Sequence, residues 1–248
     1  MADLRGAFLG SGKVSLKDLQ NPKGHIPIGN CNSLQYAAEA ETIEDKDYTT
    51  PGGGLDASVQ RISALNVTYN ARHFNKANIA RAIYASATDV ASGTVTSETH
   101  KAYKGSLIRL SKPVDAAVTV VVKSTGGSPI TYVEGDDYLV SPAGVTIMET
   151  GDIVDDADIE IDYGYPSHAN IQALVNSGKR YSLLFEGLNE ARSGKPVIIE
   201  VFKVNHSPAS LSVIADQFEG MEFTAKAEKD QTRIGGGLSQ YMEILDVD

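Results

Sequence analysis

Few residues in this sequence have the type and spacing that chemistry needs. The opening GAFLGSGKVS, Gly6–Ser15, has the glycines and lysine of a phosphate-binding loop, whose backbone N–H groups cradle phosphates while the lysine reaches the outer one. That motif needs Ser or Thr after Lys13, where Val14 stands, and a glycine where Ala7 stands. As a dinucleotide fingerprint, Gly10 and Gly12 would need Gly or Ala in place of Ser15, and no βαβ pattern follows. Neither a GxSxG elbow nor an HExxH pair occurs. The histidines His25, His73, His100, His168 and His206 are scattered, with no pair at one-turn helical spacing, and read as surface or satisfied core residues. Cys31 is the only cysteine, which excludes an intrachain disulfide and a multi-cysteine metal site; it reads as a small buried apolar residue. A calcium loop counted from Asp152 would need glycine at its sixth position, where Ala157 stands. The expectation is a protein without catalytic residues, cofactor or metal, and not an enzyme.

Charge carries more information. The chain has 248 residues, with 32 acids against 22 bases, a net charge of −10 and a pI near 5.0. Phosphate affinity comes from clustered Lys and Arg, so attraction of DNA is disfavoured. No uncharged stretch of about 18 apolar residues occurs, and MADLRGAFLGSGK lacks the apolar core of a signal peptide, so neither a membrane segment nor a secretion signal is expected. Residues 101–170 hold 11 acids and 5 bases, so this segment supplies −6 of the −10. No Lys or Arg lies between Lys123 and Lys179. Such a shift predicts an inserted module bounded near residues 95 and 166.

The elements that must position these residues read mostly as strands. Ala87–Thr99 is small, polar and aperiodic, and reads as a linker into the module. Within the module, strands are predicted over Ser106–Leu110, Ala117–Lys123, Ile130–Val133, Asp137–Val140, Val145–Met148 and Asp158–Tyr163, separated by turn residues. This reads as a small sandwich or barrel. Asp156, Asp158, Glu160 and Asp162 share one parity and Ile159, Ile161 and Tyr163 the other, the period of a strand with one wet face. On the N-terminal side, Leu34–Glu41 and Val59–Tyr69 alternate as strands. Between them, Pro51 and Gly52–Gly54 predict a long mobile loop over Ile43–Ser58. Asn75 caps a predicted amphipathic helix carrying Ile79, Ala80, Ile83 and Tyr84. Four strands close the chain, Arg180–Leu188, Pro196–Val204, Met221–Lys229 and Ser239–Leu245, the first two joined by a turn at Asn189–Gly194.

The succession LGSGKVSLKDL, IGNCNSLQ, an acidic strand leading to DYTTPGGG, the FNKANIARAIYAS helix, then YSLLFEGLNEARSGKPVIIEVFKV and FTAKAEKD resembles bacteriophage tail tube (major tail) proteins of long-tailed phages. The resemblance covers residues 7–95 and 167–247. It implies a mainly β fold, a tail-tube-type β-sandwich or barrel with one flanking α-helix, carrying an inserted small all-β (Ig-like sandwich) domain. The domains are then 1–95 and 167–248 for the two halves of the tube domain and 96–166 for the insertion, placed on the outer surface.

The resemblance further implies hexameric rings stacked into a tube that conducts DNA without binding it specifically, in a virion assembled in the bacterial cytoplasm, with a non-contractile tail favoured. Its implied partners are other copies of the chain, a tape measure protein, a tail terminator and baseplate or tip proteins. Asp45, Asp47, Tyr48, Pro51 and Gly52–Gly54 map onto the loop that reaches a neighbouring ring. Acids on alternating strands, Glu39, Glu41, Glu222 and Glu228, are candidates to face the lumen, where they would repel phosphate. Competing readings are a secretion-system tube protein and a carbohydrate- or cell-surface-binding protein that uses residues 96–165 for recognition. An enzyme would require distant acids or a histidine to converge in a polar pocket.

Overall fold

The computed structural model describes residues 7–247 except Pro22, Ser177 and Phe218, so Met1–Gly6, the start of the first predicted domain and of the glycine-rich opening, lie outside it. Strands make up 52% of the structure and helices 4%, which makes the chain mainly β. In chain order the elements are β1 (Gly10–Asp18), β2 (Ile26–Pro27), β3 (Cys31–Lys46), β4 (Leu55–Ala71), α1 (Lys76–Ala82) and β5 (Ser86–Val90). There follow β6 (Gly93–Ala102), β7 (Leu107–Arg109), β8 (Val121–Ser124), β9 (Tyr138–Ser141), β10 (Gly144–Ile147) and β11 (Ala157–Tyr165). The chain ends with β12 (His168–Gln172), β13 (Arg180–Asn189), β14 (Lys195–His206), β15 (Met221–Ala227) and β16 (Met242–Asp246). These elements form two compact units, one of Met1–Ala87 with Ile171–Asp248, the other of Thr88–Asn170. β5 and β12 pair with each other as a separate two-stranded sheet.

The flanking unit is an eight-stranded sheet in the order β2-β1-β13-β14-β15-β4-β3, with β16 also on β14. Its core gathers Val14 and Leu16 of β1, Val67 and Tyr69 of β4, Leu183 and Phe185 of β13, Val201 and Val204 of β14, and Met221 and Phe223 of β15. Four of these pairs are two residues apart, as burial of one sheet face requires, and Val201 and Val204, three apart, share the core because the β13–β14 register shifts between Tyr181 and Leu183. Asn75 caps α1, its side chain accepting from the Asn78 N–H at 2.9 Å. Ile79 and Ile83 pack against the core as their spacing predicts. Asn78 is buried and donates to the Ile28 and His73 carbonyls at 2.8 Å each. Where β1 crosses β13, Gly12 faces Gly187, and a Cβ on either would overlap the Phe185 ring and the facing backbone.

The inserted unit holds two three-stranded antiparallel sheets, β7-β10-β9 and β6-β11-β8, around its own apolar core. Ile159, Ile161 and Tyr163 of β11 are buried, in line with the alternation, and the opposite face keeps Asp158, Glu160 and Asp162. That face is not bare acid: Lys101 lies 3.2 Å from Asp158 and Lys123 2.5 Å from Asp162.

Two expectations fail here. Ala87–Thr99 is no linker, since most of it forms β5 and the first seven residues of β6. The inward positions of β6 include Glu98 and His100, which hide the apolar alternation that identifies a strand. The predicted strand at Ile130–Val133 contributes only an isolated bridge between Thr131 and Lys123. No sheet closes on itself among the described residues, so there is no barrel within a single chain.

Candidate assembly surface

The longest strands make an arm. β3 and β4 pair from Cys31↔Ala71 to Lys46↔Leu55, with three irregularities that twist the ribbon. On its inner stretch the arm lies on the sheet: Leu65, Val67 and Tyr69 are buried, while Leu34 and Tyr36 are half-buried against the same core. Beyond that, residues 37–46 of β3 and 55–63 of β4 are exposed on both faces. Ten residues of strand reach roughly 30 Å. The exposed stretch carries apolar side chains without cover: Ile43 and Val59 face each other across the ribbon at 46% and 55% exposure, and Ile62 is 72% exposed.

The tip is smaller than predicted. The loop expected over Ile43–Ser58 narrows to Asp47–Gly54, because pairing continues through Ile43↔Val59, Glu44↔Ser58, Asp45↔Ala57 and Lys46↔Leu55. The Asp47 N–H donates to the Gly54 carbonyl at 2.9 Å, closing the turn, and the Gly53 N–H donates to the Thr50 carbonyl at 3.1 Å. Gly52 and Gly53 take φ of 102° and 61°, a region that favours glycine. The Asp47 carboxylate accepts from the Thr49 hydroxyl at 2.6 Å, the Thr49 N–H at 2.7 Å and the Thr50 hydroxyl, and these bonds lower its pKa to about 2. Tyr48 stands 86% exposed at the end.

The sheet also presents unpaired edges. Among the described residues β3 pairs only with β4, which leaves its outer edge open, and at the other end β2 covers β1 only at Ser15 and Leu16. Open edges of this length are surfaces that another chain can extend.

The four acids suggested for a lumen wall separate. Glu39 and Glu222 lie on the wet face of the sheet with Thr224 and Lys226, and Glu39 accepts from the Asn66 side chain at 2.6 Å. Glu41 stands farther out, opposite Arg61 on the arm. Glu228 differs: it lies past the end of β15, 2.7 Å from Arg180 and 3.1 Å from Lys203. Its bond from Arg180 leads the interactions that lower its pKa, so its charge is offset locally.

Cys31 is half-buried, with Sγ donating to the Ser33 carbonyl at 3.1 Å; burial raises its pKa, which leaves a thiol rather than a nucleophilic thiolate. Among the described residues, no three His, Cys, Asp or Glu side chains are placed to hold a metal, and no helix is long and apolar enough to cross a membrane. What stands out instead is the arm, a two-sided ribbon ending in a built turn. The model of the family described as "Protein of unknown function UCP028589" matches residues 7–245. The chain belongs to that family. The family's matched span runs through both units, so residues 88–170 lie inside it. No curated protein matches the chain.

The sequence reading missed the extension of β3 and β4 toward the tip. The one signal for it was the run of β-branched residues, Thr42, Ile43, Val59 and Ile62, on either side of the turn.

Proposed function

We propose that this chain is the structural subunit of a bacteriophage tail tube, assembling as stacked hexameric rings whose lumen conducts DNA into the host. The observation that carries the reading is the β3–β4 arm: a two-stranded ribbon exposed on both faces, with Ile43, Val59 and Ile62 in water. A ribbon of two strands is marginal in water by itself. Covering each of these side chains is worth about 1.5–3 kcal/mol, so a second copy of the chain would stabilise what the monomer leaves bare. The open edges of β3 and β1 supply the strand pairing by which subunits would close a shared barrel that none closes alone. The turn at Asp47–Gly54 then contacts the next ring, while Glu39, Glu41 and Glu222 line a wall that repels passing phosphate. In this role the partners are other copies of the chain, a tape measure protein, terminator and tip proteins, and the product resides in the virion.

Electron microscopy of the purified full chain tests this directly. Rings or tubes with a wide central channel are expected. A strictly monomeric protein at high concentration, with the arm intact, would overturn the proposal.

A further inference from the structure

Beside α1 the flanking unit holds a cleft of about 540 Å³, a size typical of small-ligand sites. Leu16, Ile26, Tyr84 and Tyr181 give it apolar and aromatic walls. Two cations, Arg81 and Lys179, also line it. Arg81 is half-buried, donates to the Asn78 carboxamide at 3.0 Å, and lies 5.3 Å from the centre of the Tyr181 ring and 5.8 Å from that of Phe223. All of these partners are neutral, and among the described residues no carboxylate lies within ion-pair distance of the guanidinium. Its Nε is buried without an acceptor among the described residues. Burying a cation against neutral partners alone leaves much of its desolvation cost standing.

A second orphan shares the cleft. His206 is 3% exposed and lines it, with Nε2 2.8 Å from the Tyr69 hydroxyl and Nδ1 lacking any partner. In the tautomer whose Nε2 accepts the Tyr69 hydroxyl proton, the ring proton sits on Nδ1 as a second buried donor without an acceptor among the described residues. Burial, followed by the nearby Arg81, lowers the His206 pKa to about 3, so the ring is neutral. The one acid lining the cleft, Asp18, accepts from the Gln20 N–H at 2.8 Å and pairs with neither cation. Two cations, two donors without acceptors, and apolar walls together specify a ligand with an apolar body and a singly charged acid group.

We propose that this cleft binds a carboxylate, whose oxygens take up the donors at Arg81 and His206 and whose charge offsets Arg81 and Lys179. Such a group comes either from a small organic acid or from an acidic side chain of a protein segment. The inference does not rest on the assembly reading.

Equilibrium dialysis of the full-length protein against radiolabelled benzoate is the test, because it reads binding whether or not the chain assembles. Saturable binding is expected, weakened about tenfold or more by K179Q and by R81Q. A blocked glutamate, N-acetylated and α-amidated, serves as competitor: displacement of benzoate at lower concentration than benzoate itself assigns the site to a protein side chain, and weaker displacement assigns it to a small organic acid. Absence of saturation by either up to roughly 10 mM overturns the proposal, as does displacement by inorganic phosphate alone. Benzoate binding unchanged in K179Q, whose side chain is exposed, overturns it even where R81Q does not fold.

Discussion

Glu98 shows how single side chains are set by the fold. Its carboxylate accepts from the Tyr163 hydroxyl at 2.6 Å, the Ser111 hydroxyl at 2.8 Å and the Ser111 N–H at 2.9 Å, and lies 2.8 Å from His100 Nε2. Burial alone would raise its pKa; the bonds from Tyr163, His100 and Ser111 outweigh burial and hold it at about 2. A folded pKa below the unfolded one contributes stability that is complete above the unfolded value, near 4.5, and is lost as pH falls toward 2. The inserted unit should therefore unfold more readily at about pH 2.5 than at about pH 5, as read by thermal melts. E98Q should lower its stability by about 1–3 kcal/mol at neutral pH and flatten that pH dependence. At the crossing of β1 and β13, G187A should cost about 1–3 kcal/mol, measured by urea denaturation, since the added methyl meets the Phe185 ring and backbone together. Neither site was legible in the sequence. The partners of Glu98 lie up to 65 residues away and those of His206 up to 137, and no local pattern encodes such meetings.

At the scale of elements, what could be read was whatever buries one face. The buried parity of β11, the stripe of α1 and the strands β13, β14 and β15 all follow from alternating or helical apolar spacing. The misread segments lack that contrast. β6 turns Glu98 and His100 inward, and the outer arm buries neither face, so the glycines at its tip dominated the reading of Ile43–Ser58. The exposure of the arm also separates assembly from folding. An I43S/V59S double substitution should leave circular dichroism and melting temperature almost unchanged, because both side chains are open to solvent, yet abolish rings and tubes in micrographs. Deleting Gly52–Gly54 should have the same outcome, and a chain that fails to fold after this deletion would show that the turn supports the core.

For the whole molecule, the charge divides sharply. The inserted unit, residues 88–170, holds 13 acids and 5 bases, a net −8, so the remainder of the −10 chain carries only −2. With separate cores, the two units should melt in two calorimetric transitions, and only the one belonging to the inserted unit should respond to E98Q. A single transition shifted as a whole would show that the units fold as one.

The return of the chain to the flanking unit at Ile171 also fixes an order of events during synthesis. Beyond the short β2, β1 finds its partner in β13, from Gly10↔Asn189 to Asp18↔Tyr181, and β4 meets β15 only once Met221–Lys226 exist. At roughly 5–20 residues per second, the first strands wait on the order of ten seconds for their partners. The inserted unit, continuous in sequence, has all of its strands synthesised before β13 begins at Arg180. The N-terminal half meanwhile remains a nascent hairpin, and Glu39, Glu41, Glu44, Asp45 and Asp47 along it supply the like-charge repulsion that keeps such hairpins on neighbouring ribosomes apart.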